Sequence, residues 1–259
     1  FWRLVLGAVL YATVLHAVGR RITWAQVRLA VPVAVTFALE LGVFFTALQH
    51  TSVANATTIG SLQTIALMVV ASVRFGERIG GWLIGIALVA IAGVTVVMFG
   101  GGADAELQLR GDLLALVAMV LFTAYFVLVK DVRARIDTFT LQTVTMALGA
   151  VVLLPMAAIE AGRLVPAWPS WTEWGWLALL LAIPGTGHLL MNWAHLHVSL
   201  SLAGMLTLAI PALSALGAWL VLDQRLTVVQ ATGMAVVIAS LVVVVRLDAH
   251  LHADHVTGT

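Results

Sequence analysis

The sequence has no cysteine and little charge. Without cysteine it can form neither a disulfide nor a thiolate metal site. Charged residues make up 10% of the chain, against about 25% in soluble domains, so water is not its main solvent. The net charge of +1 does not indicate the basic surface that binds nucleic acid. Phosphate-binding loops, Ser-His-Asp sets and His-Glu-x-x-His sequences are missing from the sequence. We therefore predict no cofactor, no metal, no nucleic-acid partner and no enzymatic activity.

What the chain has instead is apolar sequence, which makes up 62% of it. The apolar runs are about 20 residues long, enough to cross a bilayer core as a helix. Nine runs can be distinguished: 1–18, 27–48, 51–73, 79–99, 111–130, 138–160, 174–194, 198–222 and 226–246. The connections between them are short. This pattern predicts an all-α polytopic membrane protein in contact with a lipid bilayer.

The distribution of Lys and Arg between the loops predicts the orientation, because cytoplasmic loops carry the excess. One side holds nine of them: Arg20, Arg21, Arg28, Arg74, Arg78, Lys130, Arg133, Arg135 and Arg246. The other side holds four: Arg3, Arg110, Arg163 and Arg225. We predict an inner or plasma membrane protein with a cytoplasmic C-terminus. A tryptophan cluster, Trp168, Trp171, Trp174 and Trp176, then lies at the outer interface, either as an aromatic belt or as a stacking platform for a substrate.

The sequence also contains an internal repeat. A shift of 147 positions places residues 47–52 on 194–199 and Arg78 on Arg225. The matched runs are five crossings apart, so the two copies run in opposite directions through the membrane. Inverted repeats of this kind are typical of secondary transporters. The run 111–130 would need a counterpart before residue 1, so we predict two five-helix repeats with the first helix missing from this chain.

Three segments carry a resemblance to a known family. They are residues 111–116 (Gly-Asp-Leu-Leu-Ala-Leu), residues 47–56, and Gly76-Glu77-Arg78 followed by Gly85 and Gly93. In their order and spacing they resemble an EamA-type member of the drug/metabolite transporter superfamily, over nearly the whole chain. The resemblance implies a ten-helix fold, cytoplasmic termini, a central substrate cavity and export. The sequence departs from the family at Asp223-Gln224-Arg225, where Gly-Glu is usual.

The repeat and the resemblance together predict the domain organisation. Residues 1–99 form the first repeat without its first helix, and residues 100–110 form a small, polar linker. Residues 111–246 form the second repeat, and residues 247–259 form a cytoplasmic polar tail. The tail histidines, His250, His252 and His255, could bind a divalent ion weakly, but a disordered tail is the favoured interpretation.

Placing an ionisable group in hydrocarbon costs free energy, so each ionisable residue inside an apolar run is a functional candidate. Glu40 lies near the centre of the second run, where it could bind a cationic substrate, exchange a proton, or serve as a structural acid. His188 lies in the seventh run, roughly 6 Å to the cytoplasmic side of the midplane on a rise of 1.5 Å per residue, as a cavity residue or a satisfied core histidine. Their predicted depths differ too much for a direct ion pair, although both could face one cavity.

Four further side chains complete the predicted substrate site. Gln63 and Asn192 could orient a small-molecule substrate by hydrogen bonds or hold two helices together. Tyr125 and Phe44 offer aromatic walls, or simple packing. The pair His195 and His197 has no nearby carboxylate or thiolate, so a metal site there is not predicted.

Two prolines near mid-membrane predict interrupted helices, because proline removes one backbone hydrogen bond. Pro184, with Gly185, would free the carbonyl of Leu180, and Pro211 would free that of Thr207. Transporters place binding groups and hinges at such breaks, although a static kink would look the same.

The function predicted from the sequence is secondary transport of a small organic metabolite or drug-like solute by alternating access. Two alternatives stay open: a membrane-embedded enzyme that uses the histidines, and a membrane scaffold or sensor that transports nothing. The sequence says nothing of the substrate's identity, the coupling ion or the oligomeric state.

Overall fold

The computed structural model describes residues 1–102, 108–222 and 225–257, and all regular structure within these ranges is helical. The helices are α1 (Trp2–Ala17), α2 (Trp24–Leu48), α3 (Val53–Ser61), α4 (Gln63–Phe75), α5 (Gly81–Phe99), α6 (Leu109–Arg133), α7 (Thr138–Ala161), α8 (Trp171–Leu180), α9 (Thr186–Ala194), α10 (Leu200–Thr207), α11 (Ala209–Leu222) and α12 (Val228–Thr257). A π-helical turn, Leu181–Gly185, joins α8 to α9. Each apolar run became one helix or one interrupted helix, and the prediction of an all-α polytopic fold is confirmed.

The chain divides into two compact units, and each unit draws on both halves of the sequence. Unit 1 contains Phe1–Val43 and Leu121–Val198, and unit 2 contains Phe44–Val120 and Ser199–Thr259. The predicted repeats, 1–99 and 111–246, follow the order of the sequence and are a different division from these units.

Unit 1 is held together where small residues let helices approach closely. A Cβ atom on Gly7 of α1 would lie 3.3 Å from the Sδ of Met146 in α7. A Cβ on Gly42 of α2 would lie only 2.9 Å from the Sδ of Met156, also in α7. Such contacts are the usual way in which membrane helices pack, since lipid tails remove most of the hydrophobic drive between helices.

Unit 2 uses the same device where α5 crosses α12. A Cβ atom on Gly233 would lie 2.8 Å from the carbonyl oxygen of Gly93 and 2.9 Å from the backbone nitrogen of Val97. Since backbone cannot move as a side chain can, larger residues at this crossing would force the two helices apart.

Polar residues at helix ends explain where several helices begin and end. Ser52 and Ser199, which are equivalent positions in the predicted repeat, accept hydrogen bonds from the backbone N–H groups of Asn55 and Leu202. Ser170 begins α8 with a capping box completed by Glu173. These contacts satisfy backbone donors that a helix start otherwise leaves unpaired.

The backbone of α12 stays helical to Thr257, whereas the sequence favoured disorder for residues 247–259. The physical reason is that Gly233 is the only glycine in α12 and proline is absent from it, so nothing ends the helix earlier. That residues 247–259 form a cytoplasmic polar tail stays a prediction. Residues 103–107 of the predicted linker, and the departure Asp223-Gln224, lie outside the described residues.

Candidate functional site

Glu40 lies in the part of α2 that belongs to unit 1 and is half-buried. No described residue lies within salt-bridge distance of its carboxylate. The positive charge of Arg3 is close enough to act on it without forming a pair. An unpaired carboxyl group inside a membrane helix is costly, and this cost makes Glu40 the first candidate for a functional group.

His188 of α9 lies against aromatic rings. Its ring centroid is 5.5 Å from that of Phe37 in α2 and 6.3 Å from that of Phe122 in α6. Phe37 is one helical turn before Glu40, and residues three apart share a helix face. The structure therefore brings His188 to the face of α2 that carries Glu40, although no ion pair joins the two.

Arg3 is a candidate that the sequence analysis counted only as a loop residue. It lies in the first turn of α1, and its Nε and Nη2 atoms are buried without a hydrogen-bond partner among the described residues. Its charge also acts on His188 and Tyr11. The signal that could have identified it is its position inside the apolar run 1–18, where a positive charge is costly and therefore indicates a specific role.

Tyr125 and Asn192 belong to one buried hydrogen-bond network in unit 1. The Tyr125 hydroxyl donates to Asn192 Oδ1 at 3.0 Å, and Asn192 Nδ2 donates to Gln142 Oε1 at 2.7 Å. All three side chains are fully buried. The network ties α6, α7 and α9 together, and sequence reasoning missed Gln142, its third member.

Two cations of α6 bind backbone carbonyls, one inside the last turn of α9 and others in the connections beside it. Arg133 Nε donates to the carbonyl of Asn192 at 2.7 Å, and its Nη1 donates to the carbonyl of Ile136. Lys130 Nζ donates to the carbonyl of Val198 at 2.6 Å. Positive side chains are favourable at a helix C-terminus, where unpaired carbonyls collect partial negative charge.

Gln63 and Phe44 lie in unit 2. Gln63 is the first residue of α4, directly after the break at Leu62, and its buried Nε2 has no partner among the described residues. Thr58 Oγ1 in α3 is also buried without a partner among them. Phe44 packs on a cluster of small residues formed by Ala47, Ala56 and Ala115. Gln63 thus offers a free donor, whereas Phe44 already has a packing role.

The membrane spans are interrupted at three places in the described chain. The π-helical turn Leu181–Gly185 contains Pro184, and the hydroxyl of Tyr11 points to the carbonyl of Gly185 at 3.5 Å. Leu208 separates α10 from α11, and Pro211 then lies in the first turn of α11, where the N–H it lacks would be unpaired anyway. The third break, at Leu62, has no proline. A hinge role for Pro184, Gly185 and Pro211 stays a prediction.

His195 lies just beyond the end of α9 and is fully buried. Neither ring nitrogen has a partner among the described residues, and its ring meets that of Phe126 at 4.9 Å. Burial, with the charges of Lys130 and Arg133, lowers the pKa of His195 to about 3. The side chain is therefore neutral at pH 7. His197 packs against Trp193 instead, and the described residues contain no group of three potential metal ligands.

We expect the substitution His195→Leu to stabilise the protein and to flatten the pH dependence of its melting temperature. Leucine removes two buried polar atoms without partners, an expected gain of about 1 kcal/mol at pH 7. Below pH 6.5 the unfolded histidine binds a proton that the folded one does not, so the wild type loses stability as the pH falls. Melting curves in detergent from pH 7.5 to 5 measure this, with exposed His16→Leu as the control. Parallel curves for wild type and His195→Leu would contradict it.

Aromatic side chains gather at one end of unit 1. Trp2 meets Trp168 and Trp174 with ring centroids 5.1 and 5.8 Å apart, and its Nε1 donates to the carbonyl of Ala167 at 2.8 Å. Trp171 and Trp176 are exposed. This arrangement of exposed and edge-packed indoles is typical of a membrane interface.

The described helices define a multi-pass, all-helical membrane protein. When the helices on either side of each break are joined, eight spans in the described chain are long and apolar enough to cross a bilayer. The helix Trp2–Ala17 is apolar but shorter. The family model of the EamA-like transporter family matches residues 109–246, which is more than half of the chain. The chain belongs to the EamA-like transporter family, a family of membrane transporters.

Comparison with solved structures supports the fold. One crystal structure of a protein matches with a TM-score of 0.78 over 92% of this chain and 84% of that chain. The two sequences are 21% identical, so the likeness concerns the fold alone. No curated protein matches the chain.

Proposed function

We propose that this protein is a secondary transporter that exports a small organic solute by alternating access. The membrane is the inner or plasma membrane, and the C-terminus is cytoplasmic. Family membership supports transport, and the excess of Lys and Arg in one set of loops supports the orientation. The resemblance to exporters of the drug/metabolite superfamily supports the direction.

The observation that carries the proposal is Glu40, a carboxyl group inside a membrane span without an ion-pair partner among the described residues. A structural acid would be expected to be paired, because an unpaired one only costs stability. A transporter gains from such a group, since a solute or a proton can supply the missing partner in one step of the cycle and leave in another.

The contacts divide the predicted site residues into two kinds. Glu40 and His188 of unit 1 keep polar groups available, and we propose that these contact the solute. Gln63 of unit 2 also keeps a free donor, and its role in binding stays a prediction. Tyr125 and Asn192 use their polar groups on each other and on Gln142, which favours the alternative that they hold helices together.

The interrupted spans supply a means of movement. A π-helical turn leaves carbonyl groups without their usual partners and often occurs at functional sites. In transporters, discontinuous helices bind the solute and bend during the cycle. We propose that Leu181–Gly185 and the breaks at Leu62 and Leu208 serve in this way.

The test is a two-stage experiment on purified protein. Its melting temperature is first measured with amino acids, nucleosides, amines and drugs, each added separately. The most stabilising compound is then loaded into proteoliposomes, and its flux is followed with and without an imposed pH gradient. Solute-dependent stabilisation and flux above empty vesicles are expected. Stabilisation by no compound, or binding without flux, would overturn the proposal in favour of a scaffold or sensor.

The proposed orientation has a separate test, for which the absence of cysteine is useful. A single cysteine placed at exposed Arg20 should react with a membrane-impermeant maleimide only after the cells are opened. A cysteine at exposed Arg163 should react in intact cells. The reverse labelling pattern would show that the protein has the opposite orientation in the membrane.

A further inference from the structure

Unit 1 has a cavity of about 740 Å³ at the end where α6 passes into α7. Arg20, the loop residues Arg135 and Asp137, and the face of α9 that carries Leu190 and Trp193 line it. The cavity lies at the start of α7 and the end of α9. The tryptophan cluster lies at the other ends of the same two spans, after α7 and at the start of α8. The site of Glu40 and His188 does not contribute to the lining of the cavity.

The rim of this cavity carries unbalanced positive charge. The Arg135 side chain is exposed and forms no ion pair with a described residue. Arg20 Nη1 lies 3.4 Å from Asp137 Oδ1, but the Arg20 side chain is 60% exposed, and ion pairs in contact with water contribute little. Arg133 also reaches the cavity, yet its Nε and Nη1 already serve backbone carbonyls.

Asp137 is the one negative group among the lining residues, and its oxygens are largely occupied. They accept hydrogen bonds from the backbone N–H and the hydroxyl of Thr140, where Asp137 begins α7. Burial raises the pKa of Asp137, but these hydrogen bonds and the charge of Arg20 together lower it below its ordinary value. Asp137 is thus ionised and offsets one of the two exposed guanidinium groups, which leaves the rim positive.

The wall below the rim is apolar and faces outward. Leu190 and Trp193 of α9 are 58% and 54% exposed. Both belong to a span long enough to cross the bilayer, so we expect lipid rather than water against their exposed faces. A cavity that combines a cationic rim at the end of a span with an apolar wall along the span matches a molecule with an anionic head and a hydrocarbon tail.

We propose that this cavity binds an anionic phospholipid, with its phosphate between Arg20 and Arg135 and an acyl chain along Leu190 and Trp193. A soluble anion would use the guanidinium groups but gain nothing from the apolar wall. A zwitterionic lipid would use the wall but gain less from the net positive rim. The site requires neither the transport activity nor its solute, so binding can be measured whether or not the protein transports.

The experiment titrates the purified full chain, in phosphatidylcholine-containing micelles, with phosphatidylglycerol and follows the melting temperature. We expect saturable stabilisation by phosphatidylglycerol that weakens as salt is added. Arg135→Gln should weaken the apparent affinity about fivefold, and the double change Arg20→Gln with Arg135→Gln about thirtyfold, from the usual attraction of one interfacial cation to anionic lipid. Arg163→Gln, the same change at the far end of α7, should leave the affinity unchanged.

Three outcomes would overturn the proposal. Equal stabilisation by added phosphatidylcholine would mean that only apolar contact matters. Equal stabilisation by inorganic phosphate alone would indicate a small-anion site. If Arg163→Gln lowered the apparent affinity for phosphatidylglycerol as much as Arg135→Gln does, total surface charge rather than this cavity would attract the lipid. Because Arg135 is exposed, its replacement should not impair folding, and circular dichroism checks this for every variant.

Discussion

The substitution Glu40→Gln should abolish transport, or uncouple it from the ion gradient, in a protein that still folds. Glutamine keeps the size of the side chain but removes the charge and the exchangeable proton. A hydrogen bond to a charged group contributes about 1.5–3 kcal/mol, so its loss should lower the flux about tenfold or more. The measurement is the initial rate of flux in proteoliposomes, using the compound that stabilises the wild type most.

The matched control is Glu160→Gln, the same chemical change at an exposed position near the end of α7. It should leave the flux within a factor of about two, as expected for a surface change remote from the site. The melting temperature of Glu40→Gln without solute should equal that of the wild type or exceed it, because a half-buried acid without an ion-pair partner is removed. Unchanged flux in Glu40→Gln would remove this residue from the mechanism. A large fall in melting temperature would show that its role is structural.

Much of the fold could be predicted from the sequence, because the length of an apolar run decides whether a helix can cross a bilayer. The breaks were predictable only where a residue type signals them. Pro184 marks the π-helical turn and Pro211 marks the start of α11, whereas the break at Leu62 has no proline and follows Gly60 and Ser61, which are weaker signals. Because glycine also occurs in unbroken membrane helices, a single sequence does not show which glycine coincides with a break.

The candidate site was partly predictable for the same reason. Glu40 and His188 stand out because ionisable residues are rare in apolar runs. Arg3 has the same character but lies near the start of its run, where a loop position explains it equally well. That Asn192 is paired with Tyr125 and Gln142 could not be foreseen, because these residues lie on three different helices and only the folded chain brings them together.

The largest expected effect on stability comes from Glu77→Ala in unit 2. Gly76 ends α4 in the left-handed conformation, with a φ of 67°, and this turn directs Glu77 to the start of α10. The carboxylate there accepts hydrogen bonds from Leu200 N at 2.7 Å, Ser201 N at 3.1 Å and Ser201 Oγ at 2.7 Å. Residues 76–78 carry part of the family resemblance, and their physical role in the fold is to close a contact between distant parts of the chain.

Removing this carboxylate leaves two backbone donors of α10 without their acceptor and takes a negative charge from a helix N-terminus. We expect the free energy of unfolding to fall by about 3 kcal/mol and the melting temperature by about 6–12 °C. The control is Glu173→Ala, which removes a carboxylate that caps α8 from within its own first turn. Its exposed, local contacts should matter less, because water replaces them easily and no distant segments separate. Equal effects of the two substitutions would contradict a tertiary role for Glu77, since each would then act only as a local helix cap.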